Sequence, residues 1–230
     1  MSDRIVLIHA AVADSRMWER QARLLRARGY DVVTPDLPGF GDTPEPAGAF
    51  SFVDIVAAHL PAKLVGNSLG GRIALETALA HPDGVDALVL VDAGLGDHAW
   101  SPEIRAYWKR EDELVEAGDI DGATQLTLDT FARPEVHEVL RPMQRRAYEL
   151  QVGVPEPEVT WPERPPLSSL RARTLVLVGE DDLADFHAVA RRIVDEAPNA
   201  RLEHVAGAKH VPSLEQPDAF EALVFPFLDG

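Results

Sequence analysis

The chain has 230 residues, with 38 acidic against 22 basic side chains and a net charge of −16. That balance argues against a nucleic-acid partner and against an anionic membrane surface, since both need clustered positive charge. The absence of cysteine excludes disulfides, thiolate catalysis and zinc–thiolate sites, while 46% hydrophobic and 26% charged residues suit one globular domain with a sizeable core.

Ile5–Ile8 reads as a first buried strand. This apolar run is too short for a signal-peptide core, and no run approaches a membrane span, so a cytoplasmic location is the default expectation. Ser15–Arg28 reads as a helix stopped by Gly29, and Asp31–Thr34 as a second strand. A short helix, Phe52–Leu60, ends before Pro61, and a strand follows around Leu64-Val65. Leu69–Ala80 is rich in helix formers and ends before Pro82; Ala87–Val91 is the next apolar run. From Leu95 to Leu170 no clear strand is predicted. Ser101-Pro102-Glu103 starts a helix and Gly118 stops one. Thr124–Ala132 and Glu135–Val152 read as helices, the second kinked or divided at Pro142. A stiff return segment carries Pro155, Pro157, Pro162, Pro165 and Pro166. Strand Thr174–Val178, helix Leu183–Ala197, strand Arg201–Val205 and helix Gln216–Leu228, with Pro217 in its first turn, complete the chain.

Strand–helix alternation with continuous apolar strands predicts an α/β fold on a doubly wound parallel sheet covered on both faces. The expected division is a core of residues 1–94 and 171–230 with a helical cap insertion at 95–170. Trp100, Tyr107, Trp108, Phe131, Tyr148 and Trp161 fall in that insertion. They form either its own core or the wall of an apolar pocket.

The stretch Gly66-Asn67-Ser68-Leu69-Gly70-Gly71 lies between a predicted strand and a predicted helix. That context is the confirming test for a G-x-S-x-G nucleophile elbow. Side chains at the flanking glycines would collide with strand and helix, and the helix N-terminus favours developing negative charge at the serine. A serine hydroxyl needs a base, and the base an orienting carboxylate. In a parallel sheet both should lie at the carboxyl ends of later strands. Among eight histidines, only His210 lies in a loop between a late strand and a helix. Gly179-Glu180-Asp181-Asp182 supplies the acid, with Asp182 far enough out to turn toward the histidine and Asp92 as the fallback. Ser68, His210 and Asp182 are therefore the expected catalytic residues. The expected oxyanion donors are the backbone N–H groups of Leu69 and Ala11.

Five segments in chain order carry a resemblance: Leu7-Ile8-His9-Ala10, Asp36-Leu37-Pro38-Gly39-Phe40-Gly41, the Ser68 turn, Val178-Gly179-Glu180-Asp181-Asp182, and Gly207-Ala208-Lys209-His210-Val211-Pro212-Ser213-Leu214-Glu215-Gln216-Pro217. Over nearly its whole length the chain resembles the α/β-hydrolase superfamily, its histidine loop being similar to that of small ester and lactone hydrolases, including 3-oxoadipate enol-lactonases. The resemblance places the acid on Asp182 and makes the insertion a cap domain. It implies acyl transfer to water with a small-molecule substrate and with no cofactor or metal. Three departures stand out. Ala10 replaces the usual glycine, the helix before the Ser68 strand is short, and two N-terminal strands are missing, leaving a six-stranded parallel sheet.

A serine nucleophile argues against the dehalogenase and epoxide hydrolase branches, which use aspartate. Within the fold the chief rival is a carbon–carbon hydrolase of ring-cleavage diketones, whose members resemble this Gly-Asn-Ser-x-Gly-Gly turn. Such an enzyme needs a cationic pocket group, for which Arg72, Arg105, Lys109, Arg141, Arg145 and Arg146 are the candidates. The fold also hosts lyases and cofactor-free peroxidases. A ligand-binding module without turnover is the rival from another class. A dinucleotide-binding dehydrogenase has only Gly94-Leu95-Gly96 in its favour, without a third glycine. The acidic balance mildly disfavours anionic substrates. Substrate and oligomeric state are not legible.

Overall fold

The apolar runs of the sequence become the centre of a sheet covered on both faces. The computed structural model describes residues 3–155 and 157–230. Strands β1 (Arg4–Ile8), β2 (Asp31–Val33), β3 (Ala62–Asn67), β4 (Val85–Val91), β5 (Arg173–Gly179) and β6 (Ala200–Val205) pair in the order β2-β1-β3-β4-β5-β6, every pair parallel. Val6, Leu64, Leu88, Leu90, Val176 and Val178 are fully buried. This is what a sheet sandwiched between helices requires of its central strands.

The helices are α1 (Glu19–Ala27), α2 (Phe52–Ala57), α3 (Leu69–Ala80), α4 (Pro102–Glu116), α5 (Ile120–Phe131), α6 (His137–Gln151), α7 (Ala184–Glu196), α8 (Pro212–Glu215) and α9 (Pro217–Asp229). Helices α4 to α6 form an inserted cap between β4 and β5. The chain steps from β1 outward to β2, then crosses back to β3 on the other side of β1. The carboxyl ends of β1 and β3 therefore flank the point where the strand order reverses, the usual ligand crevice of open α/β sheets. Ser68 follows β3 at that point. Among the described residues no helix is long and apolar enough to cross a membrane.

Several boundaries differ from expectation. The first helix divides into a 3-10 turn at Ser15–Trp18, capped by Asp14 Oδ1 accepting from the Arg16 N–H (3.0 Å), followed by α1. Helix α2 stops at Ala57 rather than Leu60, the last residues forming turns ahead of Pro61. Helix α5 starts at Ile120 rather than Thr124, because Asp119 caps it by accepting from the Gly122 N–H at 2.9 Å. Helix α6 runs unbroken through Pro142. The proline-rich return is tied to the core in part by a parallel bridge, Phe50 to Val159, a pairing that no sequence feature announced.

Candidate active site

Ser68 occupies the turn between β3 and α3 with φ 55° and ψ −113°, a strained conformation for a residue with a side chain. Its backbone is held from β4. The Ser68 N–H donates to the Val91 carbonyl (2.8 Å), and the Ser68 carbonyl accepts from Arg72 (3.0 Å) and Gly94 (3.1 Å). The turn closes only because its neighbours lack side chains. A Cβ on Gly66 would run into the Gly70 carbonyl, and one on Gly70 into the Ile8 carbonyl. So α3 starts hard against the end of β1, and the loop after β1 comes within reach of the serine.

That loop is fixed by His9, which is fully buried. Its Nδ1–H donates to the Ala10 carbonyl (2.9 Å) and its Nε2 accepts from the Leu37 N–H (3.0 Å). Burial pushes the His9 pKa down, so the imidazole stays neutral in this bridging role. Ala11, Ser68 and Leu69 all line one cavity. Leu69 is the first residue of α3, where backbone N–H groups have no partner within the helix.

The acid and histidine loops leave the ends of β5 and β6 side by side. Glu180 N–H donates to the Val205 carbonyl (3.1 Å), and Asp181 N–H to the Ala208 carbonyl (2.9 Å). Gly179 permits the approach, since a Cβ there would strike the Lys209 carbonyl. Gly179→Ala is therefore expected to cost about 1–3 kcal/mol, as overpacked sites do. The check is a fall in denaturant midpoint at unchanged m-value; an unchanged midpoint would mean that the two loops are not in forced contact.

His210 Nδ1 meets Asp182 Oδ2 at 2.7 Å, with His210 1% exposed and the Asp182 side chain fully buried. The other Asp182 oxygen accepts from the Leu183 N–H (2.8 Å). Asp181 turns outward to Arg133 (2.9 Å). Ser68 makes no hydrogen bond to His210 among the described residues. The two are linked through Asn67, whose Nδ2 donates to the carbonyls of His210 (3.0 Å) and Val91 (3.1 Å). In free enzymes such a serine–histidine bond is often long and tightens on the substrate.

The fallback acid, Asp92, lies beneath this pair. It has φ 43°, is 1% exposed, and accepts from the Gly179 N–H through Oδ1 (2.9 Å). Polar atoms of Asp92, Asp182 and His210 all lie within 4.8 Å of one another. Burial, and then the neighbouring Asp182 carboxylate, push the Asp92 carboxyl well above its usual range. Its Oδ2 has no partner among the described residues, and a proton on it would let it donate toward Asp182.

The cap clamps the histidine from above. The His210 N–H donates to the Phe131 carbonyl (3.3 Å). Glu215 accepts from the Lys209 N–H (2.6 Å) and, through its other oxygen, from the Arg133 N–H (2.8 Å). Phe186 and Phe131 pack on the imidazole with centroids at 4.3 and 5.0 Å. The cavity above Ser68 measures about 290 Å³. Of the six cap aromatics, Trp100, Tyr107, Trp108 and Phe131 line it, Tyr148 is buried behind it, and Trp161 packs on Arg72 and Phe52. Sequence reasoning missed Phe186, which comes from the core helix α7, and the polar lining residues Glu111, Thr127 and Gln144.

Residues 5–223 match the Alpha/beta hydrolase family. The chain belongs to that family. It is 29% identical over 238 residues to a pimeloyl-[acyl-carrier protein] methyl ester esterase of Chromobacterium violaceum, covering 94% of this chain and 90% of the esterase. It is also 29% identical over 251 residues to the polyketide synthase ThaQ of Burkholderia thailandensis. That match covers 98% of this chain but only 12% of the synthase. The enol-lactonase of Burkholderia xenovorans LB400 superposes with a TM-score of 0.80 at 21% identity, over all of this chain and 92% of the lactonase, a likeness of fold. The membership expected from five short motifs thus extends over nearly the whole chain.

Proposed function

We propose that this family member is a serine hydrolase that cleaves a small carboxylic ester or lactone through an acyl-enzyme. The observation that carries the reading is the buried 2.7 Å Asp182–His210 pair, set on strand ends beside the Ser68 turn. Ser68 Oγ attacks the carbonyl while His210 Nε2 takes its proton. Asp182 orients the imidazole and stabilises the imidazolium that forms. The Leu69 and Ala11 N–H groups receive the oxyanion, a contribution typically of about 10²–10³ in rate. His210 returns the proton to the leaving alcohol, and water then repeats the cycle on the acyl-Ser68. No cofactor enters these steps. The division into a core of residues 1–94 and 171–230 and a cap of 95–170 belongs to the same proposal, the cap closing the pocket and setting the substrate.

One observation favours the carbon–carbon hydrolase as a second reading. Arg72 lines the cavity, its guanidinium rests 3.8 Å over the Trp161 ring, and its buried Nε has no partner among the described residues. Of the six candidate cations, Arg72 is the one that borders this cavity among the described residues. Assays with p-nitrophenyl acetate and butyrate, beside a ring-cleavage dienone followed by its absorbance, separate the two. The ester reading expects p-nitrophenol release without loss of the dienone. Dienone cleavage without ester turnover would reverse the order.

A further inference from the structure

The far end of the cavity holds a polar cluster with more acceptors than protons to share among them. Glu111 of α4, Thr127 of α5 and Gln144 of α6 meet there, one from each cap helix, and all three line the same cavity as Ser68. Tyr107 OH donates to Glu111 Oε1 (2.8 Å) and meets Thr127 Oγ1 at 2.9 Å. Tyr148 OH also bonds Glu111 Oε1 and meets Thr127 Oγ1 at 2.7 Å. Thr127 in turn reaches the Ala123 carbonyl at 3.0 Å. These five oxygen–oxygen contacts share the three hydroxyl protons of Tyr107, Tyr148 and Thr127. Even a proton on Glu111 leaves the network one short. A separate observation points the same way. Gln144 is 4% exposed, and its Oε1 has no partner among the described residues. A buried acceptor left unpaired costs about 1–3 kcal/mol, which a donor arriving with a ligand relieves.

Between this end and Ser68 the wall is apolar, built by Trp100, Phe131 and Phe186. The lining therefore runs from a nucleophile, with Arg72 one turn along α3 from it, past a short apolar stretch, to the proton-poor cluster around Glu111. We propose that the cap pocket selects esters carrying a hydrogen-bond donor, a hydroxyl or ammonium group, at the end remote from the scissile carbonyl, and that Glu111 and Gln144 receive that donor. The proposal rests on the serine-hydrolase reading and names the substrate class of that site. A terminal carboxylate would lie against Glu111 and bring no proton, so dicarboxylic monoesters are disfavoured. Sites built to bond a substrate hydroxyl discriminate strongly against the analogue lacking it, because their own polar groups are then left unpaired.

The test compares kcat/KM, by acid release in a pH-stat, for methyl esters of alkanoic, ω-hydroxyalkanoic and ω-carboxyalkanoic acids of four to six carbons. Butyrate monoesters of matching diols probe the alcohol side. Glu111→Gln and Gln144→Leu are run beside the wild type. The expected result is a preference of about tenfold for a hydroxy ester over its unsubstituted partner at one chain length, with the carboxy ester below both. In each variant that ratio should fall toward one, and the unsubstituted ester in the same preparation serves as the internal standard. Should a variant fail to fold, the wild-type series alone still decides. Hydrolysis of plain esters without a hydroxy preference, or with a carboxy preference, overturns the inference and leaves the hydrolase reading standing. A wild-type preference that survives both substitutions also overturns it. No hydrolysis of any ester overturns both.

Discussion

Ser68→Ala is expected to lower kcat/KM on p-nitrophenyl butyrate by at least about 10⁴-fold, with a small residual rate from binding and the oxyanion donors. His210→Ala should fall as far, and the double variant little further, because the two groups act as one unit and their losses do not add. Structure should survive the serine change. The turn is held by backbone bonds from Ser68 to Val91, Arg72 and Gly94, none of which uses the hydroxyl. A Ser68→Ala protein with an unchanged thermal midpoint and wild-type turnover would place the chemistry elsewhere.

The second large effect separates two carboxyls only a few ångströms apart. Asp182→Asn is expected to cost about 10⁴-fold in kcat, because an amide facing His210 Nδ1 favours the wrong tautomer. Asp92→Asn should cost little activity. Its Oδ1 can still accept from the Gly179 N–H, and its Nδ2 can donate to Asp182 where a protonated carboxyl would have. Asparagine also tolerates the positive φ at this position. The two differ in stability against pH as well. The Asp92 pKa is raised in the folded protein. Above the unfolded value of about 4, the unfolded chain therefore binds fewer protons than the folded one, and wild-type stability falls as pH rises. Asp92→Asn removes that slope. Its melting temperature should exceed the wild type's by a margin that grows as pH rises above that unfolded value. A melting temperature below wild type throughout, or a loss of activity matching Asp182→Asn, would mean that Asp92 is ionised and shares the acid's role.

Much of this architecture is written locally. Each central strand is a run of apolar residues with a breaker near its end. The Ser68 turn needs its glycines within a few residues of it, so short-range reading finds it. The proposed roles of Asp182 and His210 rest on a rule about strand ends rather than on any feature of their own. What escaped the sequence depends on packing across the fold. Glu111, Thr127 and Gln144 lie on three separate helices, and each alone reads as an ordinary polar position. Phe186 belongs to a core helix but reaches the cavity and the His210 ring. Pro142 suggested a kink or a division, and α6 is not divided: it carries through, packed against α5, at the loss of one backbone bond. The role of Glu215 was hidden because its partners, the Lys209 and Arg133 backbones, come from a loop and from the cap.

The measurement that tests the central claim most directly is mapping of a fluorophosphonate adduct by mass spectrometry. Trypsin cuts after Lys63 and Arg72, releasing Leu64–Arg72, a peptide whose single serine is Ser68. The account predicts one adduct per chain, on that peptide, absent from Ser68→Ala and formed far more slowly in His210→Ala. An adduct on another serine, or none on a folded protein, would contradict it.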